Sequence, residues 1–269
     1  MKINISTRQI ALIATLAALY TVISIFVKPI QIPVGIPGLE ISPAALFATI
    51  LGLILGPYLG TASAIIGSTA AWALTGGSPF GLPFLLSPPL NAFVSGAIFY
   101  KKWKMAFPVF LVLTVAFLFT PPVLALGEFF GSAQIALWVL WDKIVAMLLI
   151  LPLAFLSKRL SIGHGAALLF ILAFIGNEAD NIWGSFIFAW PVVFNGIFGM
   201  PLEAVQASFL ASPFLYPAIR LIQAFFAMLI AVPLIGILSR RNWLWSNNHI
   251  LNQTDKPVVP PPPSETPPN

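Results

Sequence analysis

From Ile10 to Val27 the chain carries no charged or amide side chain, and stretches of this kind recur along almost its whole length. In lipid every backbone N–H and C=O must be satisfied within the protein, so such stretches are restricted to helices of roughly 20 residues that cross about 30 Å of hydrocarbon. Charged residues make up 8% of the sequence and hydrophobic residues 59%, whereas soluble domains carry about a quarter charged residues. Lipid therefore solvates most of this molecule. Its 269 residues supply between six and nine spans with short loops, which makes one membrane domain with no room for a soluble partner domain. There is no cysteine, which excludes disulfides and thiolate metal sites. The two histidines, His164 and His249, fall in polar segments, so neither a zinc nor a haem centre is expected and no cofactor is implied. The net charge of +5 reports orientation, because the basic residues flank apolar runs.

Ile10 to Val27 follows Lys2 and Arg8 and has no convincing small-residue cleavage site before Lys28, so it reads as a retained first span. Pro29, Pro33 and Pro37 then forbid a helix across KPIQIPVGIPGLEIS, Lys28 to Ser42, which is an extended outer loop. Pro43 to Gly56 and Leu59 to Thr75 are two apolar runs hinged at Gly56-Pro57, giving a tight helical hairpin. Gly76-Gly77-Ser78-Pro79 is an outer turn, and Pro83 to Tyr100 returns to Lys101, Lys102 and Lys104, which mark the cytoplasmic side. Met105 to Ala125 runs outward, and Ile135 to Leu156 comes back to Lys158 and Arg159.

The fold class expected is thus an all-α polytopic transmembrane bundle. A six-span core over 8–160 is followed by extra membrane segments over 161–241, within a transmembrane domain of 1–246. In that second part Gly165 to Gly176 and Ile182 to Phe198 are apolar, and Pro217 to Leu238 ends at Arg240-Arg241. About eight spans keep every basic cluster inside, which places both termini in the cytoplasm. Residues 247–269, with VVPPPPSETPPN, form a disordered proline-rich tail.

Functional signals lie inside the apolar runs. Ala11, Ala14 and Ala18 share one face of the first helix, either as a close contact within the chain or as a docking face for a partner subunit. Ser87-Pro88-Pro89-Leu90-Asn91 interrupts the fourth span; irregular backbone at that depth is a packing kink or the lining of a wet cavity. Ionisable residues within spans cost roughly 2.5 to 3.5 kcal/mol each, and here they are Asp142, Lys143, Glu178, Asp180 and Arg220. Asp142 and Lys143 are about 100° apart on a helix, so each is expected to pair elsewhere. Asn177 to Asn181 is a break in a discontinuous span or a plain outer end, and on a helix Glu178 and Asp180 would point to nearly opposite sides. Trp138, Trp141, Trp183 and Trp190 suit an interfacial belt or stacking on a flat ligand. Neither histidine lies at bilayer depth, which makes a serine hydrolase a poor fit.

The alanine-rich opening IALIATLAALY, the loop IPVGIPGLEISPAAL, the hairpin LGLILGPYLGTASAIIG and the span opening LPFLLSPPLNAFVSG occur in an order that resembles the substrate-binding S component of energy-coupling factor (ECF) transporters, the vitamin and micronutrient importers. The match covers about residues 8–100. The resemblance implies a six-helix core that captures a small solute outside and hands it inward. It also implies association with a transmembrane coupling protein and two ATPase subunits, which would supply ATP hydrolysis to a chain that is itself no enzyme. Ala11, Ala14 and Ala18 would then touch the coupling protein, and the loop Lys28 to Ser42 would close over the ligand. The candidate substrate-binding residues are Glu40, Asn91, Trp138, Asp142 and Glu178. A secondary transporter coupled to H+ or Na+ is the alternative favoured by the buried charges, and a membrane-embedded enzyme or a scaffold completes the readings.

Overall fold

The computed structural model describes residues 7–27, 44–124, 129–156, 165–211, 213–241 and 243–245. Glu40 with its loop, His164, Lys158, Arg159, His249 and the proline-rich tail lie outside the described residues. The described chain is helical and without strands: α1 (Thr7–Phe26), α2 (Ala45–Leu74), a 3₁₀ turn at Leu82–Phe84, α3 (Ser87–Phe99), α4 (Trp103–Phe117), α5 (Pro121–Leu124), α6 (Phe129–Leu156), α7 (Gly165–Phe188), α8 (Pro191–Phe194), α9 (Leu202–Ala211) and α10 (Leu215–Arg240). Among the described residues six helices are long and apolar enough to cross a membrane: α1, α2, α3 with the turn before it, α6, α7 and α10.

One of the six is folded back on itself. Gly56 sits at φ 77° and ψ 177° inside α2, a backbone region essentially reserved for glycine, and Pro57 next to it has no N–H to carry the ladder across. On a straight helix Leu51 and Gly60 would be roughly 13 Å apart. Here a Cβ built on Gly60 would stand 2.7 Å from the Leu51 carbonyl oxygen. The chain reverses at Gly56 as the hairpin reading expects, and α3 packs against both arms. Gly52 makes that contact close enough for backbones to touch: a Cβ there would lie 2.2 Å from the Ala92 carbonyl oxygen. Counting the two arms and the shorter apolar α4, eight apolar segments follow one another.

The C-terminal helices are not an appendage. α7 packs against α3, α6 and α10, and a single apolar core takes in Leu53 of α2, Phe99 of α3, Phe110 of α4, Ile150 of α6, Ile175 of α7 and Ala227 of α10. The opposite side of α10 is exposed, with Ile222, Phe226 and Leu229 outward, as lipid contact demands. Past α10, Trp245 donates its backbone N–H to the Ile54 carbonyl (3.1 Å) and stacks edge-on with Tyr100, closing the hairpin's turn from below.

Two expectations need correction and a third is met in part. Pro88 and Pro89 lie inside the apolar stretch Leu82–Phe99, preceded by a 3₁₀ turn, but they sit in the first turn of α3, where no backbone donor is required of them. The cluster Asn177 to Asn181 is neither a break nor an outer end, because α7 runs through it without interruption. The predicted apolar run Ile182 to Phe198 is partly the end of α7 and partly the turn carrying α8. A polar cluster survives within a span because all five of its residues are buried against protein.

Candidate functional site

A cavity of about 590 Å³ opens among the α2–α3 connection, α6, α7 and the α9–α10 turn. Aromatic rings form much of its wall: Trp72 from the end of α2, Phe80 and Phe84 from the connection, Trp138 from α6, Phe188 from α7 and Phe209 from α9. Local sequence explains how they are held. Trp72 donates its indole N–H to the Ser78 carbonyl at 2.7 Å, which fastens the glycine turn at Gly76-Gly77 over the helix end. Trp183 does the same across helices, donating to the Pro83 carbonyl at 3.1 Å, and Trp141 donates to the Pro213 carbonyl at 2.9 Å.

The floor is polar and charged. Lys143 donates to both carboxylate oxygens of Asp142, at 2.9 and 3.0 Å. These adjacent residues were expected to pair elsewhere; instead the flexible lysine stem curls back over one helical step, and the ammonium also stands 3.9 Å from Glu178 Oε2. Asp180 accepts from Arg220 Nη2 at 3.3 Å, and Gln223 accepts from Arg220 Nη1 at 2.9 Å. Glu178 and Asp180 therefore do face opposite ways from α7, one toward α6 and one toward α10. Charges so deep in a bundle persist only when paired and hydrogen-bonded.

Of the sequence candidates, Trp138 and Asp142 line the cavity. Asn91 and Glu178 stand behind it, fully buried. Asn91 donates to the Ala45 carbonyl (3.2 Å) and to Asn177 Oδ1 (3.0 Å), and it accepts from Thr49 (2.8 Å) and Ser95 (2.9 Å). Its amide is thus a structural joint between α2, α3 and α7. Trp190 is not among the lining residues and packs on Phe186 instead. Ala11, Ala14 and Ala18 are exposed on α1, while Ala17, Tyr20 and Thr21 are buried and Thr21 donates to the Gly67 carbonyl (3.1 Å). The rings of Trp72, Phe80 and Phe84 escaped sequence reasoning, since no pattern separates them from an interfacial belt before the connection is folded.

Residues 4–149 match the family model of the ECF-type riboflavin transporter, S component. The chain belongs to this family. No curated protein and no solved structure matches it. As an S component it is a substrate-binding membrane subunit of a transporter rather than an enzyme, and it serves a small-molecule substrate together with an ECF module. The matched stretch ends within α6, so Asp180, Asn181, Phe188, Phe209, Tyr216 and Arg220 of the cavity lining lie beyond it.

Proposed function

We propose that this S component captures a flat aromatic vitamin of the flavin type, riboflavin foremost, from outside the cell membrane. It delivers the vitamin inward after docking with a transmembrane coupling protein and two ATPase subunits. The observation that carries this reading is the cavity itself: a space of about 590 Å³ lined by eight aromatic rings over a polar floor, in a family named for riboflavin. A flat ring system stacks on such walls, while a few convergent polar groups fix its orientation. Trp138 and Asp142 touch the ligand in this reading, Asn91 and Glu178 support the floor from behind, and the loop with Glu40 closes the outer side.

Orientation follows from charge. Lys101, Lys102 and Lys104 follow α3 and Arg240 and Arg241 end α10, whereas the cavity lies by the opposite ends of both helices. Basic clusters stay in the cytoplasm, so the cavity faces outward and both termini lie inside. The exposed Ala11, Ala14 and Ala18 then offer the coupling protein a flat face for close helix packing.

The test is co-purification of the tagged full chain from its native host in mild detergent, with mass spectrometry of bound proteins and bound small molecules. Recovery of ATPase subunits, a coupling protein and a flavin is the expected result. An intact chain that comes down alone and takes up solute on an ion gradient would replace this reading with the secondary transporter.

A further inference from the structure

Glu178 touches no part of the cavity, yet it holds two residues that do. It accepts from Asn181 Nδ2 at 3.0 Å and stands 3.9 Å from Lys143 Nζ; Asn181 and Lys143 both line the cavity. Its second oxygen, Oε1, is buried without a hydrogen-bond partner, so its position is set by these two contacts. A carboxylate only accepts, whereas an amide donates at nitrogen and accepts at oxygen. Glu178 therefore selects the nitrogen end of Asn181 and leaves the carbonyl end for the cavity.

The neighbours complete a pattern. Glu178 faces Lys143 of α6 and Asp180 faces Arg220 of α10, so Asn181, which falls between those two directions on α7 at about 100° per residue, meets the cavity on the arc between the two cations. Lysine and arginine donate and never accept, and Arg220 also lines the cavity, its guanidinium steadied by Asp180 and Gln223. The floor reads donor, acceptor, donor across three helices. Its complement is acceptor, donor, acceptor: a carbonyl, an N–H and a second carbonyl in one plane. Asp142, Glu178 and Asp180 outnumber Lys143 and Arg220 by one, so an anionic group is disfavoured there.

We propose that Glu178 is a positioning residue that presets Asn181 between Lys143 and Arg220, and that the row so formed selects solutes bearing a neutral imide edge. The proposal rests on the flavin reading, since a flavin ring carries that edge, and it adds which side of the ring enters first.

Titration of the purified full chain with riboflavin and with 3-methylriboflavin, whose imide N–H is replaced by a methyl group, tests it through flavin fluorescence. The wild type is expected to prefer riboflavin by about tenfold or more, the cost of stranding a buried acceptor. In Glu178→Leu the preference should fall to within about threefold, while Glu178→Gln, whose amide oxygen still accepts from Asn181, should keep most of it. A packing defect alone would weaken both ligands alike and leave the ratio unchanged. Should Glu178→Leu fail to fold, Asn181→Ala removes the acceptor directly and must collapse the same ratio. Equal affinity of the wild type for the two flavins, or an unchanged ratio in Glu178→Leu, overturns the proposal while leaving the flavin reading intact. If the wild type binds no riboflavin, the flavin reading falls. Uridine against 3-methyluridine then decides the imide assignment: preference for uridine keeps it, and no preference ends it.

Discussion

Lys143 sits between two carboxylates, Asp142 at 2.9 Å and Glu178 at 3.9 Å, and that sharing ranks the substitutions around it. Lys143→Met leaves two carboxylates facing each other without their cation in a dry interior, whereas Asp142→Asn leaves the lysine with Glu178. Removing one partner of a buried pair costs about 3–5 kcal/mol when a charge is stranded. The melting temperature in detergent should therefore drop further in Lys143→Met than in Asp142→Asn, and equal drops would refute the shared arrangement. Trp138 and Trp190 give a second comparison. Both were tryptophans of the late spans with no sequence feature to separate belt from ligand contact, but only Trp138 lines the cavity. Trp138→Ala should weaken riboflavin binding by roughly tenfold or more, in line with the loss of one aromatic face, and Trp190→Ala should leave the affinity within error. The ionisable residues themselves were legible because each is costly at bilayer depth. Their partners were not: the Asp142–Lys143 pairing depends on a side-chain torsion, and Asn181 gains its importance only from which helices flank α7.

At the scale of elements, the hairpin was readable from Gly56-Pro57 because that dipeptide has one strong meaning between two apolar runs, and the structure adds what fills the turn. A Cβ on Gly56 would stand 2.6 Å from Trp245 Cδ2, and its φ of +77° is unfavourable for any L side chain. Gly56→Ala is expected to cost about 1–3 kcal/mol from the backbone alone, with the indole clash in addition. The double substitution Gly56→Ala with Trp245→Ala removes the clash but keeps the strain. It should melt above the value expected from adding the two single effects, and strict additivity would show that Trp245 does not press on the turn. Gly52→Ala has no such relief, since its obstruction is the Ala92 backbone carbonyl at 2.2 Å. The same reading took Pro88-Pro89 to break the ladder of a span, because the sequence did not show that the α-helix begins only at Ser87, after a 3₁₀ turn. It also divided α7 in two. Four polar residues within five look like a boundary when lipid is taken as the surroundings, and like a helix interior only once α3, α6 and α10 are seen to enclose them.

For the whole molecule, the decisive fact is that family-matched and C-terminal helices share one core and one cavity. A subunit of this kind has two separable tasks, holding the solute and engaging the proteins that drive its release, and in the proposed reading they fall on different surfaces. The cavity is enclosed by α2, α3, α6, α7 and the α9–α10 turn, while among the described residues α1 contributes only Tyr20 to its lining. α1 otherwise binds the bundle along a narrow edge: Ala17, Tyr20 and Thr21 are buried, and Ala11, Ala14 and Ala18 face outward. Small outward residues at this spacing permit another helix to approach to backbone contact. A large side chain there would obstruct such an approach without reaching the cavity floor. Ala14→Trp should accordingly abolish uptake in cells expressing the complete transporter, while the purified variant binds riboflavin within about twofold of the wild type, a difference below 1 kcal/mol. Loss of binding together with uptake would move the alanine face from docking to the integrity of the fold. Normal uptake would mean that the coupling protein engages another surface of the bundle.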